Sequence, residues 1–291
     1  MRFATLELDH GPAPVLVSPD AQGYLPARQW LDGFDGDMAA LIAALPEPAA
    51  RTAPGHWQPL AGRRLRAPLV PRRNLFCVGK NYHAHAAEFA RSGFDTSAAK
   101  DELAPAAPVV FTKAPSTVVG PGDAVQAFAH LTGQLDYEAE LAVVIGKPGR
   151  GIRPEHAWGH IWGYTIVNDV TARDLQQKHR QWFLGKSMDS FCPMGPWIVT
   201  ADEVDARALD VRCWINGELR QYANTRDLIF DIPTIIATIS AGMALQPGDV
   251  IATGTPAGVG IGFTPPRFLR AGDAMRIEIS GLGTLENQVA G

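Results

Sequence analysis

The sequence predicts an α+β fold that is mostly β, with a largely antiparallel or mixed sheet. Three observations point there. Short apolar or alternating runs recur along the chain with tight-turn signals between them. Few stretches have helical spacing, which excludes a regular alternation of strands and helices. The pair Asn216-Gly217, between residues 211–215 and 218–220, suits a type I′ turn and marks a hairpin.

With 291 residues the chain can form one large domain, or a main domain with a smaller appendage, and bury a sizeable core. Charged residues make up 19% and hydrophobic ones 46%, so no disordered tail is implied. The formal net charge is -4 without a prolonged Lys/Arg cluster, which argues against nucleic-acid or anionic-membrane partners. Cys77, Cys192 and Cys213 are odd in number and lack paired spacing, so reduced thiols are expected. No signal-peptide core and no run of about 18 apolar residues occurs, so the expectation is a cytoplasmic protein without a membrane partner.

Residues 1–70 read as a small N-terminal domain, a structural unit or dimer contact. Residues 3–8 alternate as a strand, Gly11-Pro-Ala-Pro14 turns, and residues 15–17 suit the hairpin partner. A helix is expected over 37–45, ending at Pro46. The texture changes at Asn74, and residues 71–291 read as the main, catalytic domain. Residues 75–78 form a short buried strand, and residues 83–90 have helix-forming composition. On that helix His85 and Glu88 are three positions apart and share a face, so the His can act as a general base that the Glu orients. A His/Glu pair is more often a surface contact. Residues 91–107 lack periodicity and read as a linker or a mobile lid.

A strand over 109–113 delivers Lys113 to its end. The run from Leu135 to Ile145 alternates charge and bulk before becoming apolar, as a strand entering a core does. Period two puts Glu138 and Glu140 on one face, and Asp169 follows a second apolar run. Such a Glu-x-Glu pair is commonly the wet face of a half-buried strand. Three carboxylates without Cys or His instead suit Mg2+ or Mn2+, which leave coordination positions for water or substrate oxygens. A polar helix is expected over 171–180, a helix over 231–245, and strands over 250–253 and, last, 274–280. Gly185-Lys-Ser187 is no phosphate-binding loop, since Arg180 stands where that motif needs Gly. Gly258-Val-Gly-Ile-Gly262 lacks the dinucleotide spacing, although the loop from Gly254 is too Gly-rich to serve packing alone. Neither a Gly-x-Ser-x-Gly elbow nor a His-Glu-x-x-His motif occurs.

Seven ordered blocks carry a resemblance: Gly79-Lys-Asn-Tyr-His-Ala-His-Ala-Ala-Glu88, Phe111-Thr-Lys113, Tyr137-Glu-Ala-Glu-Leu141, Asn168-Asp-Val-Thr-Ala-Arg-Asp174, Gly185-Lys-Ser187, Asn216-Gly-Glu218 and Thr253-Gly-Thr-Pro-Ala-Gly-Val259. From about Asn74 to Ile279 the chain resembles the fumarylacetoacetate hydrolase family, in its acylpyruvate hydrolase and oxaloacetate decarboxylase branch, here with an N-terminal extension. The resemblance implies a mixed β-sandwich roll, a homodimer, and Mg2+ or Mn2+ on Glu138, Glu140 and Asp169. It implies that His85 and Glu88 activate water on a lid ordered by substrate, and that Lys186 faces a developing enolate. Arg173, Gln176, Lys113 and Thr255 would surround the substrate, with Lys80 and Tyr82 in the same set. Lys80 departs from the Arg of many relatives and cannot reproduce its bidentate contact.

These residues suit a substrate that chelates through a carboxylate and a 2-oxo oxygen. The expected activity is hydrolysis of the C–C bond of an acylpyruvate or other 2,4-diketo acid through a pyruvate enolate. Oxaloacetate decarboxylation, isomerisation of an unsaturated 2-oxo acid and dehydration of a sugar acid would share that chemistry. A metal-stabilised binding protein is the non-enzymatic alternative.

Overall fold

The computed structural model describes residues 1–48, 56–93 and 105–291. A 12-stranded mixed sheet carries the site. At its centre Ala139–Ile145 pairs antiparallel with Ile161–Asn168, which pairs with Cys192–Thr200. Every residue of the first two strands is buried, because both faces of the sheet are covered there. That is why they read as nearly continuous apolar runs. On the other flank Val250–Ala252 joins antiparallel, Leu75–Gly79 joins it in parallel, and Val109–Lys113 follows.

The first residues extend the same sheet. Arg2–Leu8 pairs with Cys192–Thr200, Phe3 opposite Ile198, and forms a hairpin with Gly11–Val17. Asp37 caps the helix Met38–Ala44 by accepting the Ala40 N–H at 2.8 Å. Phe3, Leu16 and Leu41 share one core cluster with Leu75, Ala142 and Trp162. Trp162 also donates its indole N–H to the Leu45 carbonyl at 2.7 Å, which satisfies its polar edge on burial. Sheet and core are therefore continuous between the first 70 residues and the rest.

A second sheet of five strands runs in the order Glu218–Asn224, Asp210–Ile215, Ala274–Ile279, Gly283–Ala290, Ala124–Gln126. Asp210–Ile215 alternates between core and periphery, as a sheet with one covered face requires. Its inward Val211, Cys213 and Ile215 meet Leu141, Val143 and Ile166 of the large sheet. Each such side chain contributes roughly 1.5–3 kcal/mol on full burial. Asn216 and Gly217 take φ of 50° and 80°, as the type I′ hairpin demands.

Three local expectations differ from the structure. The strand expected from 135 to 145 breaks at Tyr137 and Glu138: Leu135–Asp136 pairs separately with Thr171–Ala172, and Asn168 Oδ1 accepts the Glu138 N–H at 2.9 Å in place of a ladder bond. The helix from Asp231 ends at Ser240, whose carbonyl and hydroxyl are taken by the N–H groups of Gly151 and Ile152. Strands Cys192–Thr200 and Gly283–Ala290 were not expected; Pro193, Gly195 and Pro196 disguise the first. The expected linker or lid at 91–107 lies mostly outside the described residues, which omit 94–104.

Candidate active site

The three carboxylates converge. Glu138 stands just before Ala139–Ile145, Glu140 within it, and Asp169 just after Ile161–Asn168, its neighbour in the sheet. One oxygen of each lies within 4.8 Å of the others. Their exposures are 4%, 2% and 0%, so the pair is no wet strand face. The Asp169 N–H donates to the Glu138 carbonyl at 2.8 Å, which ties the two strand ends together.

Buried cations partly balance them. Lys186 Nζ donates to Glu138 Oε2 at 2.9 Å and Asp169 Oδ2 at 2.7 Å, and lies 5.0 Å from the centroid of Phe111. Lys113 Nζ donates to Asp169 Oδ1 at 2.7 Å, to the Val170 carbonyl at 3.0 Å and to the Lys186 carbonyl. Its three protons are therefore committed behind Asp169. Arg173 Nη1 pairs with Glu138 Oε1 at 2.7 Å, and Nε donates to Asp136 Oδ2 at 2.9 Å. Its Nη2 is buried and has no hydrogen-bond partner among the described residues.

These contacts split the acids electrostatically. Burial alone would raise Glu138, but Lys186 and Arg173 outweigh it and hold its carboxyl down to about 2. Glu140 goes the other way. Burial, then Asp169 and Glu138, push its carboxyl well above the usual range, and it makes no ion pair among the described residues. The backbone N–H of Gly254, at 2.7 Å, is its hydrogen-bond donor. Lys113, Arg173 and Lys186 are engaged by Asp169, Asp136 and Glu138, and none of the three pairs with Glu140. A divalent cation fits this all-oxygen set, because it would supply the charge Glu140 lacks.

The helix His83–Arg91 brings His85 and Glu88 together, with Nδ1 3.2 Å from Oε2. Glu88 Oε1 accepts the Gly258 N–H at 2.9 Å. His85 is 4% exposed, so the pair is no surface contact. The cleft is lined by Lys80, His85, Glu138, Glu140, Arg173, Gln176, Lys186 and Thr255, with walls from Phe89, Phe111 and Trp182. Lys80 takes a φ of 57°, an uncommon left-handed conformation for a side chain with a Cβ.

Two residues expected around the substrate do not line the cleft. Lys113 is saturated behind Asp169, and Tyr82 is buried at the start of the His83–Arg91 helix, where burial pushes its hydroxyl up. Sequence reasoning passed over Asp136, which anchors Arg173 and accepts the N–H groups of Gly260 and Ile261 at 2.6 and 3.1 Å. Its signal was present, since Asp136, Glu138 and Glu140 continue one period of two. Trp182 was also passed over, and no motif marks it.

Known proteins place this architecture. Residues 74–290 match the family model described as fumarylacetoacetate (FAA) hydrolase C-terminal. The chain is 52% identical over 228 residues to oxaloacetate tautomerase YisK of Bacillus subtilis, covering 78% of this chain and 73% of that protein. It is 42% identical over 228 residues to oxaloacetate tautomerase fahd2, mitochondrial, of Xenopus laevis, covering 77% and 68%. Among solved structures, a fumarylacetoacetate hydrolase of Exiguobacterium antarcticum superposes with a TM-score of 0.84 at 42% identity, covering 100% of this chain and 99% of the other. Maleylpyruvate hydrolase from Sphingobium.sp SYK-6 gives 0.78 at 34% identity, covering 100% and 99%. The match over most of the chain, together with the buried acidic cluster and its α+β, mostly β frame, makes this chain a member of the fumarylacetoacetate hydrolase family, an enzyme family.

Proposed function

We propose that the protein interconverts the keto and enol forms of a small 2-oxo dicarboxylic acid of the oxaloacetate kind. The observation that carries this reading is one cleft lined both by buried His85, which is paired with half-buried Glu88, and by Arg173, a guanidinium whose buried Nη2 has no partner among the described residues. The two tautomerase relatives favour oxaloacetate as the substrate.

In the proposed reaction a proton moves from C3 of the substrate to its 2-oxo oxygen. His85 donates its Nδ1–H to Glu88, which leaves Nε2 to take the proton from C3, while Glu88 offsets the charge of the imidazolium. The same imidazolium returns the proton to oxygen, so none is exchanged overall. Arg173 Nη2 receives a substrate carboxylate, and Gln176, Lys80 and Thr255 line its surroundings. Lys186, raised by Asp169 and Glu138 against the effect of burial, stays charged and stabilises negative charge growing on the 2-oxo oxygen. Mg2+ or Mn2+ held by Glu138, Glu140 and Asp169 would supply Lewis-acid polarisation of the same oxygen when bound. A homodimer in the cytoplasm belongs to this reading.

A second reading is hydrolysis of an acylpyruvate, for which His85 and Glu88 would take the proton from water instead; the likeness to a maleylpyruvate hydrolase favours it. One assay separates the two. Enol oxaloacetate is followed by its ultraviolet absorbance, and pyruvate release is measured from oxaloacetate, acetylpyruvate and fumarylpyruvate, with Mg2+ present or chelated. Accelerated enol decay without pyruvate supports the tautomerase. Pyruvate from the acylpyruvates with uncatalysed enol decay would overturn it for hydrolysis, and pyruvate from oxaloacetate alone would identify a decarboxylase.

A further inference from the structure

The glycine-rich loop that begins at Gly254 meets the His85–Glu88 pair in an unusual way. A Cβ on Gly262 would lie 1.7 Å from Glu88 Oε1, 2.2 Å from Cδ and 2.6 Å from Cγ, and these are its three nearest atoms. The Glu88 carboxylate therefore occupies the space of a side chain at 262. Gly262 is not among the residues with positive φ, so its own backbone would accept alanine. Gly258 differs: its φ is 100°, and a Cβ there would meet the Arg220 carbonyl oxygen at 1.9 Å. The fold itself requires Gly258.

The loop is fixed where it touches Glu88. Gly258 donates its N–H to Glu88 Oε1, while Gly260 and Ile261 donate theirs to Asp136, which also holds Arg173 Nε. One hydrogen-bonded segment thus contacts both the proton-handling pair and the anchor of the guanidinium. We infer that Gly262 is a positioning residue whose absent side chain seats the Glu88 carboxylate against His85. This rests on the role proposed for that pair. The three atoms nearest to an added methyl all belong to one flexible side chain, so Glu88 swings away and the fold survives. The 3.2 Å contact with His85 is lost, together with the Gly258 N–H bond to Oε1.

The test is a double-mutant cycle of Gly262→Ala and Glu88→Ala, reading kcat and KM for oxaloacetate tautomerisation and Tm for each protein. Gly262→Ala is expected to lower kcat by about tenfold or more, the range of a displaced acid–base group, with KM little changed. The double variant is expected to be no slower than Glu88→Ala, because shortening position 88 makes room for the methyl. Gly258→Ala, in contrast, is expected to lower Tm. Wild-type kcat in Gly262→Ala, or a double variant slower than Glu88→Ala by the full factor of the Gly262 change, overturns the inference. Wild-type kcat in Glu88→Ala would instead remove the role of the pair. The Tm cycle, which reads the contact without turnover, separates the two failures.

Discussion

Glu140→Gln should change stability in opposite directions with and without metal. The carboxylate is buried against Asp169 and Glu138, with oxygens no more than 4.8 Å apart and no ion pair of its own among the described residues. At that separation and an effective dielectric constant of about 20, each like-charge pair repels by about 3.5 kcal/mol. Two such repulsions act on Glu140, and the nearby Lys186 ammonium cancels roughly one of them. After relaxation, neutralising position 140 should stabilise the chelated protein by about 2 kcal/mol, or roughly 4 °C in Tm. The amide oxygen can still accept the Gly254 N–H, so no donor is orphaned.

The pH dependence has a definite sign. The folded-state pKa of Glu140 is raised, so its favourable contribution is full below the ordinary value of 4.5 and is lost as pH rises through the raised value. The chelated wild type should therefore lose stability with rising pH relative to Glu140→Gln. Saturating Mg2+, at about 100 times its Kd, should stabilise the wild type by about 2.7 kcal/mol and the variant far less. Differential scanning calorimetry with EDTA or Mg2+ reads all of these effects. A chelated variant that melts below the wild type, or an equal Mg2+ shift in both, would refute the reasoning.

Three further outcomes are expected. His85→Ala should slow enolisation by 10²–10⁴-fold while keeping the Mg2+-induced Tm shift; loss of that shift would show that His85 helps hold the metal. Arg173→Lys keeps a charge but loses Nη2, so KM for oxaloacetate should rise about tenfold or more, equivalent to about 1.4 kcal/mol, with a smaller change for a monocarboxylic 2-oxo acid. Equal changes for both would count against carboxylate recognition. Trp162→Phe strands the Leu45 carbonyl and should cost about 1–3 kcal/mol, read as a lower urea midpoint; an unchanged midpoint would mean that water replaces the indole.

The sequence alone determined the alternating strands, the Asn216-Gly217 hairpin, the helix over 37–45 and the acidic spacing at 138 and 140. All of these are local, because period and turn chemistry are written in neighbouring residues. Tertiary structure decided the rest. It carried Asp169 to Glu138 by pairing adjacent strands, and it turned a Glu-x-Glu pair that could have faced water into buried charge. Cys192–Thr200 stayed illegible because its prolines oppose strand propensity, and its place between Arg2–Leu8 and Ile161–Asn168 exists only once the sheet forms. Lys113 and Arg173 carry the same charge, yet the fold committed every proton of one and left a buried donor of the other without a partner among the described residues. No spacing rule encodes that difference, since it depends on which partners arrive from elsewhere in the chain. Gly262 is the sharpest case: its need for glycine lies in Glu88, 174 positions earlier in sequence and less than 2 Å from where its side chain would be.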